Sequence, residues 1–165
     1  MKRSRPVILY ILCALSAIYL FFTIYSEMTY LTSEEYFKEE YFVDAQEKLD
    51  EIEEDSEGAE IERKSLEDQI EYRKIDNENY SRNHMSLLFI HLVGLIGVIL
   101  MFRLNFNGFG MYVSYVILDL IFRAYAYSAM PNFNNFLIMN ALLSLAFIGG
   151  YYSVFFKLKK QNSDA

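Results

Sequence analysis

Asp119 and Arg123 stand four residues apart in the stretch YVILDLIFRAY (115–125), which is otherwise apolar enough to lie in a membrane. On a helix that spacing makes the two side chains neighbours on one face. Ionisable groups inside a bilayer are costly, so they turn toward a bundle interior or water and pair with something. Two chemistries fit. The carboxylate and guanidinium can neutralise each other, with Arg123 reaching toward the membrane surface and the pair fixing bundle geometry; this is the leading expectation. Alternatively they line a small pocket or ion path. Tyr112 and Tyr115 continue the same face. At a rise of about 1.5 Å per residue, His91 and Asn140 fall level with Arg123, and Ser16 and Ser144 level with Asp119. A polar cluster of Arg123, His91 and Asn140, with Asp119, Tyr115 and Ser144 beneath, is therefore expected.

Other chemistry is sparse. The sequence has no HExxH pair, no CxxC, no phosphate-cradling glycine loop and no Ser-His-Asp set on one membrane face. Its single cysteine, Cys13, excludes an intramolecular disulfide and redox chemistry that needs a thiol pair. His91, with no second His or Cys at ligand spacing, is expected to bond between helices rather than hold a metal. The expectation is a protein without catalytic activity, cofactor or metal.

Four apolar segments must position these residues, each close to the roughly 20 residues a spanning helix needs. They are 6–26, 85–104, 111–130 and 134–156, and none has an internal proline. Spanning segments are expected to be helices, because backbone groups in lipid have no partner but their own chain. The first apolar run is longer than the roughly 7–15 residues of a signal-peptide core and ends in no small-x-small site, so it is expected to stay as an anchor. Lys2, Arg3 and Arg5 precede the first span, Arg103 lies at the 105–110 link, and Lys157, Lys159 and Lys160 follow the fourth. The 131–133 link is uncharged. The excess of Lys and Arg on cytoplasmic loops then places residues 1–5, the 105–110 link and the 157–165 tail inside. Residues 27–84 are expected outside, and the membrane is expected to be the bacterial cytoplasmic (inner) membrane.

Residues 27–84 hold 20 acidic and 7 basic side chains, whereas the whole chain carries a formal charge of −7. The sequence TSEE (32–35) has the spacing of a capping box, and Tyr41, Ala45, Leu49 and Ile52 share one helical face. DSEG (55–58) marks a break. A second helix follows with Leu66 and Ile70 as apolar positions, and DNENYSRN (76–83) has the composition of a loop. One unbroken helix over 33–75 would rise roughly 65 Å with too little chain left to return. An antiparallel hairpin is expected instead. Its carboxylates lack calcium-loop spacing and are expected to form a solvated face. Tyr30, Tyr36, Phe37, Tyr41 and Phe42 suit the membrane interface. NYS at Asn79 matches a glycosylation acceptor, relevant in a eukaryotic secretory pathway.

Gly94 and Gly97, and the small residues Ala146, Gly149, Gly150 and Ser153, permit close helix packing within or between chains. The sequences RLNFNGFGMYVSYVI and GGYYSVFFKLKKQN resemble, over residues 103–160, uncharacterised bacterial four-helix integral membrane proteins of the Bacteroidota type. That resemblance implies a four-span fold and no activity; the long acidic insert departs from the short loop usual there. Claudins share the large loop between spans one and two, but their Trp and Cys signature has no counterpart. The expected architecture is thus all-α, a four-transmembrane-helix bundle with an extracytoplasmic helical hairpin between helices 1 and 2. Its expected role is an interaction or accessory subunit of the envelope, with a small transporter or channel around Asp119/Arg123 as the alternative. The expected partners are the lipid bilayer and a protein or second copy meeting the hairpin or the small-residue faces. No nucleic-acid partner is expected.

Overall fold

The computed structural model describes residues 7–32, 40–52 and 58–163, with side chains for 7–32, 43–52 and 58–157. The described residues form six helices and no strand: α1 (Val7–Thr32), α2 (Glu40–Glu51), α3 (Ala59–Glu78), α4 (Tyr80–Phe102), α5 (Asn107–Tyr127) and α6 (Phe133–Ser163). Four of them, α1, α4, α5 and α6, are long and apolar enough to cross a membrane.

Alternating steps of four and three build the bundle core. In α4 the buried face runs Tyr80, His84, Leu87, His91, Gly94, Val98 and Met101. In α1 it runs Leu9, Cys13, Ser16, Leu20 and, one heptad on, Glu27. Such a repeat keeps one stripe turned toward a neighbouring helix. α5 joins it through Gly108, Tyr112, Tyr115 and Asp119. The distribution is inside out relative to a water-soluble bundle. Ser16, His91 and Asp119 are buried, while Phe21, Phe89, Ile121 and Leu145 are each more than 60% exposed. That is the arrangement a lipid solvent selects, since it favours apolar side chains outside and leaves polar groups to find partners within.

The closest approach is between α4 and α5. A Cβ on Gly108 would stand 2.6 Å from the Gly97 carbonyl oxygen and from the Met101 nitrogen, and one on Gly97 would stand 2.9 Å from the Tyr112 nitrogen. Gly94 takes the Tyr115 ring in the same way, 2.7 Å from where its Cβ would be. These glycines therefore pack spans of one chain together. The link between the two helices is short because α4 ends in a Schellman motif: Leu104 N–H donates to the Met101 carbonyl (2.9 Å) and Asn105 N–H to that of Leu100 (2.9 Å). Leu104 takes the left-handed conformation (φ 59°) in which glycine is usual. Asn105 Oδ1 then accepts the Asn107 N–H at 3.0 Å and opens α5.

α6 is buried near both ends and exposed between them, with Phe133 at its start packing on Leu87 and Tyr127. Tyr151, Val154 and Phe155 are buried toward its C-terminus, whereas Phe136, Met139 and Leu143 are at least half exposed. Gly150 lets α6 meet Leu12 of α1, 3.2 Å from where its Cβ would be. Toward the other end, residues of α1 and α6 line cavities together.

Outside the spans, α2 and α3 pack on each other, and α3 touches α4 and α5. Gly58, in the left-handed region at φ 96°, supplies the expected break before α3. Ala45 is buried and Leu49 and Ile52 are partly buried, as the shared face requires. Two local expectations fail. Thr32 does not open a helix: it ends α1, with its hydroxyl donating to the Met28 and Thr29 carbonyls. Its capping partner Glu35, like Tyr36 and Phe37, lies outside the described residues, as do the side chains of Tyr41 and Phe42. Residues 76–83 are not a loop either. Asn79 alone leaves helical geometry (φ −135°, ψ 30°), so α3 turns directly into α4. Within this stretch Asp76, Tyr80 and Asn83 turn inward, while Glu78, Asn79, Ser81 and Arg82 stay exposed. The helices also run past the expected span limits, α1 to Thr32 and α4 from Tyr80.

Two glycines of α5 make a paired test of this packing. Gly108→Ala forces α4 and α5 apart and is expected to destabilise the fold by about 1–3 kcal/mol. Gly110 has nothing within 4 Å of its Cβ position, so Gly110→Ala is expected to be neutral or to stabilise by up to about 1 kcal/mol through helix propensity. Denaturant titration of both variants in micelles reads the difference.

Candidate functional site

The α3–α4 joint brings three ionisable side chains together. His84 Nδ1 lies 2.6 Å from Glu27 Oε2 and its Nε2 lies 3.1 Å from Asp76 Oδ2. All three residues are buried. Each contact joins a ring nitrogen to a carboxylate oxygen and needs one proton between them, so the unit is satisfied by two protons, as an imidazolium between two carboxylates. It then carries one net negative charge. Tyr127 of α5 donates its hydroxyl to the other oxygen of Asp76 at 3.1 Å. The Tyr80 hydroxyl donates to the Tyr30 carbonyl at 2.9 Å, and the rings of Tyr30 and Tyr80 pack on the His84 ring at 4.8 and 4.4 Å. One cluster thus ties α1, α3, α4 and α5. Asn132, after α5, adds an exposed tie to α3 by donating to Asp68 at 3.3 Å.

Deeper in the bundle, Arg123 Nε donates to both oxygens of Asp119, at 3.0 and 2.9 Å. His91, completely buried, approaches the same carboxylate from α4, with Nε2 3.5 Å from Oδ1. That is ion-pair distance without hydrogen-bond geometry, and neither ring nitrogen bonds to any described residue. His91 therefore meets Asp119, not Arg123 as its depth suggested. Asn140 turns its amide back to the Phe136 carbonyl at 3.0 Å. It does share a cavity of about 170 Å³ with Ser16, Tyr115, Asp119 and Ser144. Below that, Tyr151 donates to Ser16 at 3.0 Å, and Ser16 and Tyr112 stand 3.5 Å apart. A layer of Leu9, Val98, Met101, Val154 and Phe155 closes the polar interior toward the α4–α5 link.

A second cavity, about 300 Å³, is lined by α1, α3, α4, α5 and the start of α6, with Glu27 and His84 of the three-residue cluster and Arg123 in its wall. Asp119 faces the first cavity and Arg123 the second, so the ion pair forms the partition between them. Among the described residues no group of His, Cys, Asp and Glu is arranged to hold a metal ion.

The cluster of Glu27, Asp76, His84 and Tyr127 was not expected from sequence, because Glu27 and His84 stood at the borders of the acidic insert and Asp76 in its supposed loop. A signal existed in the four–three repeat of α4, which continues backward from Leu87 to His84 and Tyr80, and in that of α1, which continues forward to Glu27.

Buried polar groups inside four apolar helices define a helical integral membrane protein. The chain belongs to the family described as Domain of unknown function (DUF8777), whose model matches residues 1–165. No curated protein and no solved structure matches it.

Removing the central cation tests the cluster. His84→Leu leaves two carboxylates buried without their partner and is expected to cost about 3–5 kcal/mol. Adding Glu27→Gln and Asp76→Asn to His84→Leu removes the orphaned charges and is expected to recover part of that loss. Pulse proteolysis in micelles, scored at Arg73 and Lys74 of α3, measures both.

Proposed function

We propose that the chain is a non-enzymatic subunit of the bacterial inner membrane, a four-helix bundle that holds an acidic helical hairpin on the outer face for interaction with another envelope protein. Both termini and the α4–α5 link are cytoplasmic in this reading. The observation that carries it is the Glu27–His84–Asp76 cluster. A hairpin tethered only by its two ends would move freely, whereas three buried polar side chains and Tyr127 fix α3 against three spans. That leaves Glu60, Glu62, Glu67 and Glu71 exposed on a helix held in one place. α6 supports the same reading from within the membrane. Ala146, Gly149 and Ser153 form an outward strip, with nothing near the Gly149 Cβ position. Small-residue strips of this kind let a neighbouring helix approach closely.

A small transporter or channel is the second reading, favoured by the stacked cavities on either side of Asp119 and Arg123. The apolar layer beneath Tyr151 weighs against an open path. Reconstituted flux that is unchanged in Asp119→Asn and Arg123→Ala removes this alternative.

One experiment tests the orientation and the partner together. Ser65 is exposed on α3. Ser65→Cys in a Cys13→Ser background, treated in intact cells with a membrane-impermeant maleimide crosslinker, is expected to give an adduct larger than one chain. No reaction in intact cells contradicts the orientation. Modification that leaves a single chain contradicts the interaction reading.

A further inference from the structure

From the larger cavity we infer a binding site for a zwitterionic phospholipid head, taken from the leaflet on the α3 side of the bundle. Its wall divides into a part suited to an anion and a part suited to a cation. The anion part is Arg123. Its Nε is committed to Asp119, its Cζ sits 5.8 Å from the Phe136 ring centroid, and no described residue bonds either terminal nitrogen. Those nitrogens keep the donors that bind phosphate. The cation part is Glu27 with the rings of Tyr30, Tyr72 and Tyr127. Glu27 uses Oε2 for His84, and Oε1 has no hydrogen bond to a described residue. Tyr72 and Tyr127 stack at 6.4 Å and 14°, presenting one aromatic wall. Aromatic rings with a carboxylate are the recurring receptor for an ammonium group.

Charge balance selects among heads. The Glu27–His84–Asp76 unit is net negative and the Asp119–Arg123 pair is neutral, so a net anionic head is repelled where a phosphate–ammonium head is matched at both ends. Access is lateral. The cavity is lined by Glu27 and Tyr30 of α1 and by Phe133 and Phe136 of α6, and Phe136, Met139 and Leu143 give α6 an apolar surface, each at least half exposed. A cavity of about 300 Å³ is at the lower end of the range of ligand sites, enough for a head while the chains remain in lipid. This inference is independent of the protein-partner reading and survives its failure.

The test uses the full chain in phosphatidylglycerol vesicles with trace chain-spin-labelled phosphatidylethanolamine, phosphatidylcholine or phosphatidylglycerol. Electron paramagnetic resonance reports the motionally restricted fraction. The two zwitterionic lipids are expected to associate at least about fivefold more strongly than phosphatidylglycerol, the scale of one cation–π contact at a solvent-exposed site. Asp119→Asn/Arg123→Gln, which removes both charges together, is expected to abolish the preference. Tyr72→Ala, outside the spans, is expected to reduce it at least about twofold while leaving phosphatidylglycerol unchanged. Equal association of all three lipids with the wild-type chain overturns the proposal with no variant needed, and so does a preference that survives the double substitution. Displacement of the labelled lipid by soluble phosphoethanolamine overturns the bilayer source and assigns the site to a soluble zwitterion.

Discussion

A carboxylate buried without a partner is expensive, and three are buried among the described residues. Two of them, Glu27 and Asp76, come from opposite ends of the acidic insert and can be satisfied together only by the imidazole between them. That requirement sets much of the architecture. α1 must continue to Glu27 and beyond, α3 must reach Asp76 beside the membrane, and α4 must begin early enough to carry His84. A loop at 76–83 would leave the three groups unregistered. The abrupt joint at Asn79 holds Asp76 and His84 in fixed relation.

The third carboxylate, Asp119, is met from two sides, by Arg123 on its own helix and by His91 across the interface. Here the contact of α4 with α5 matters. Glycine at 94, 97 and 108 lets the helices approach until Tyr115 lies on Gly94 and His91 reaches Asp119. α6 takes little part in this and is held by Tyr151 and its neighbours near one end and by Phe133 at the other. The two cavities lie between α6 and the other spans, and their polar walls follow from the stripe that α1, α4 and α5 turn inward.

Much of this was legible in the sequence. The four spans follow from apolar length, the break before α3 from Gly58, and the Asp119–Arg123 contact from i,i+4 spacing. Ser16 and Ser144 were placed level with Asp119 by depth alone, since rise per residue is nearly constant in a helix, whereas His91, placed level with Arg123, meets Asp119 instead. Depth carries no azimuth, which is why Asn140, at a suitable level, instead turned back to its own helix. The Glu27–His84–Asp76 cluster was hidden for a different reason. Composition marks 76–83 as solvent-exposed loop, and only the four–three repeat, followed past the apolar boundary, shows that the buried face of α4 continues through it. Thr32 misled because a threonine near a helix end has two hydrogen-bonding options. Its hydroxyl can cap the next helix or, as here, return to the carbonyls of its own.

Site-resolved amide hydrogen exchange in micelles reads whether His84 holds α3 on the membrane bundle. The amides of residues 72–78 are expected to exchange as slowly as those of the spans in the wild-type chain, and as fast as those of α2 in His84→Leu. Fast exchange at 72–78 in the wild-type chain, or slow exchange unchanged by the substitution, would contradict that role.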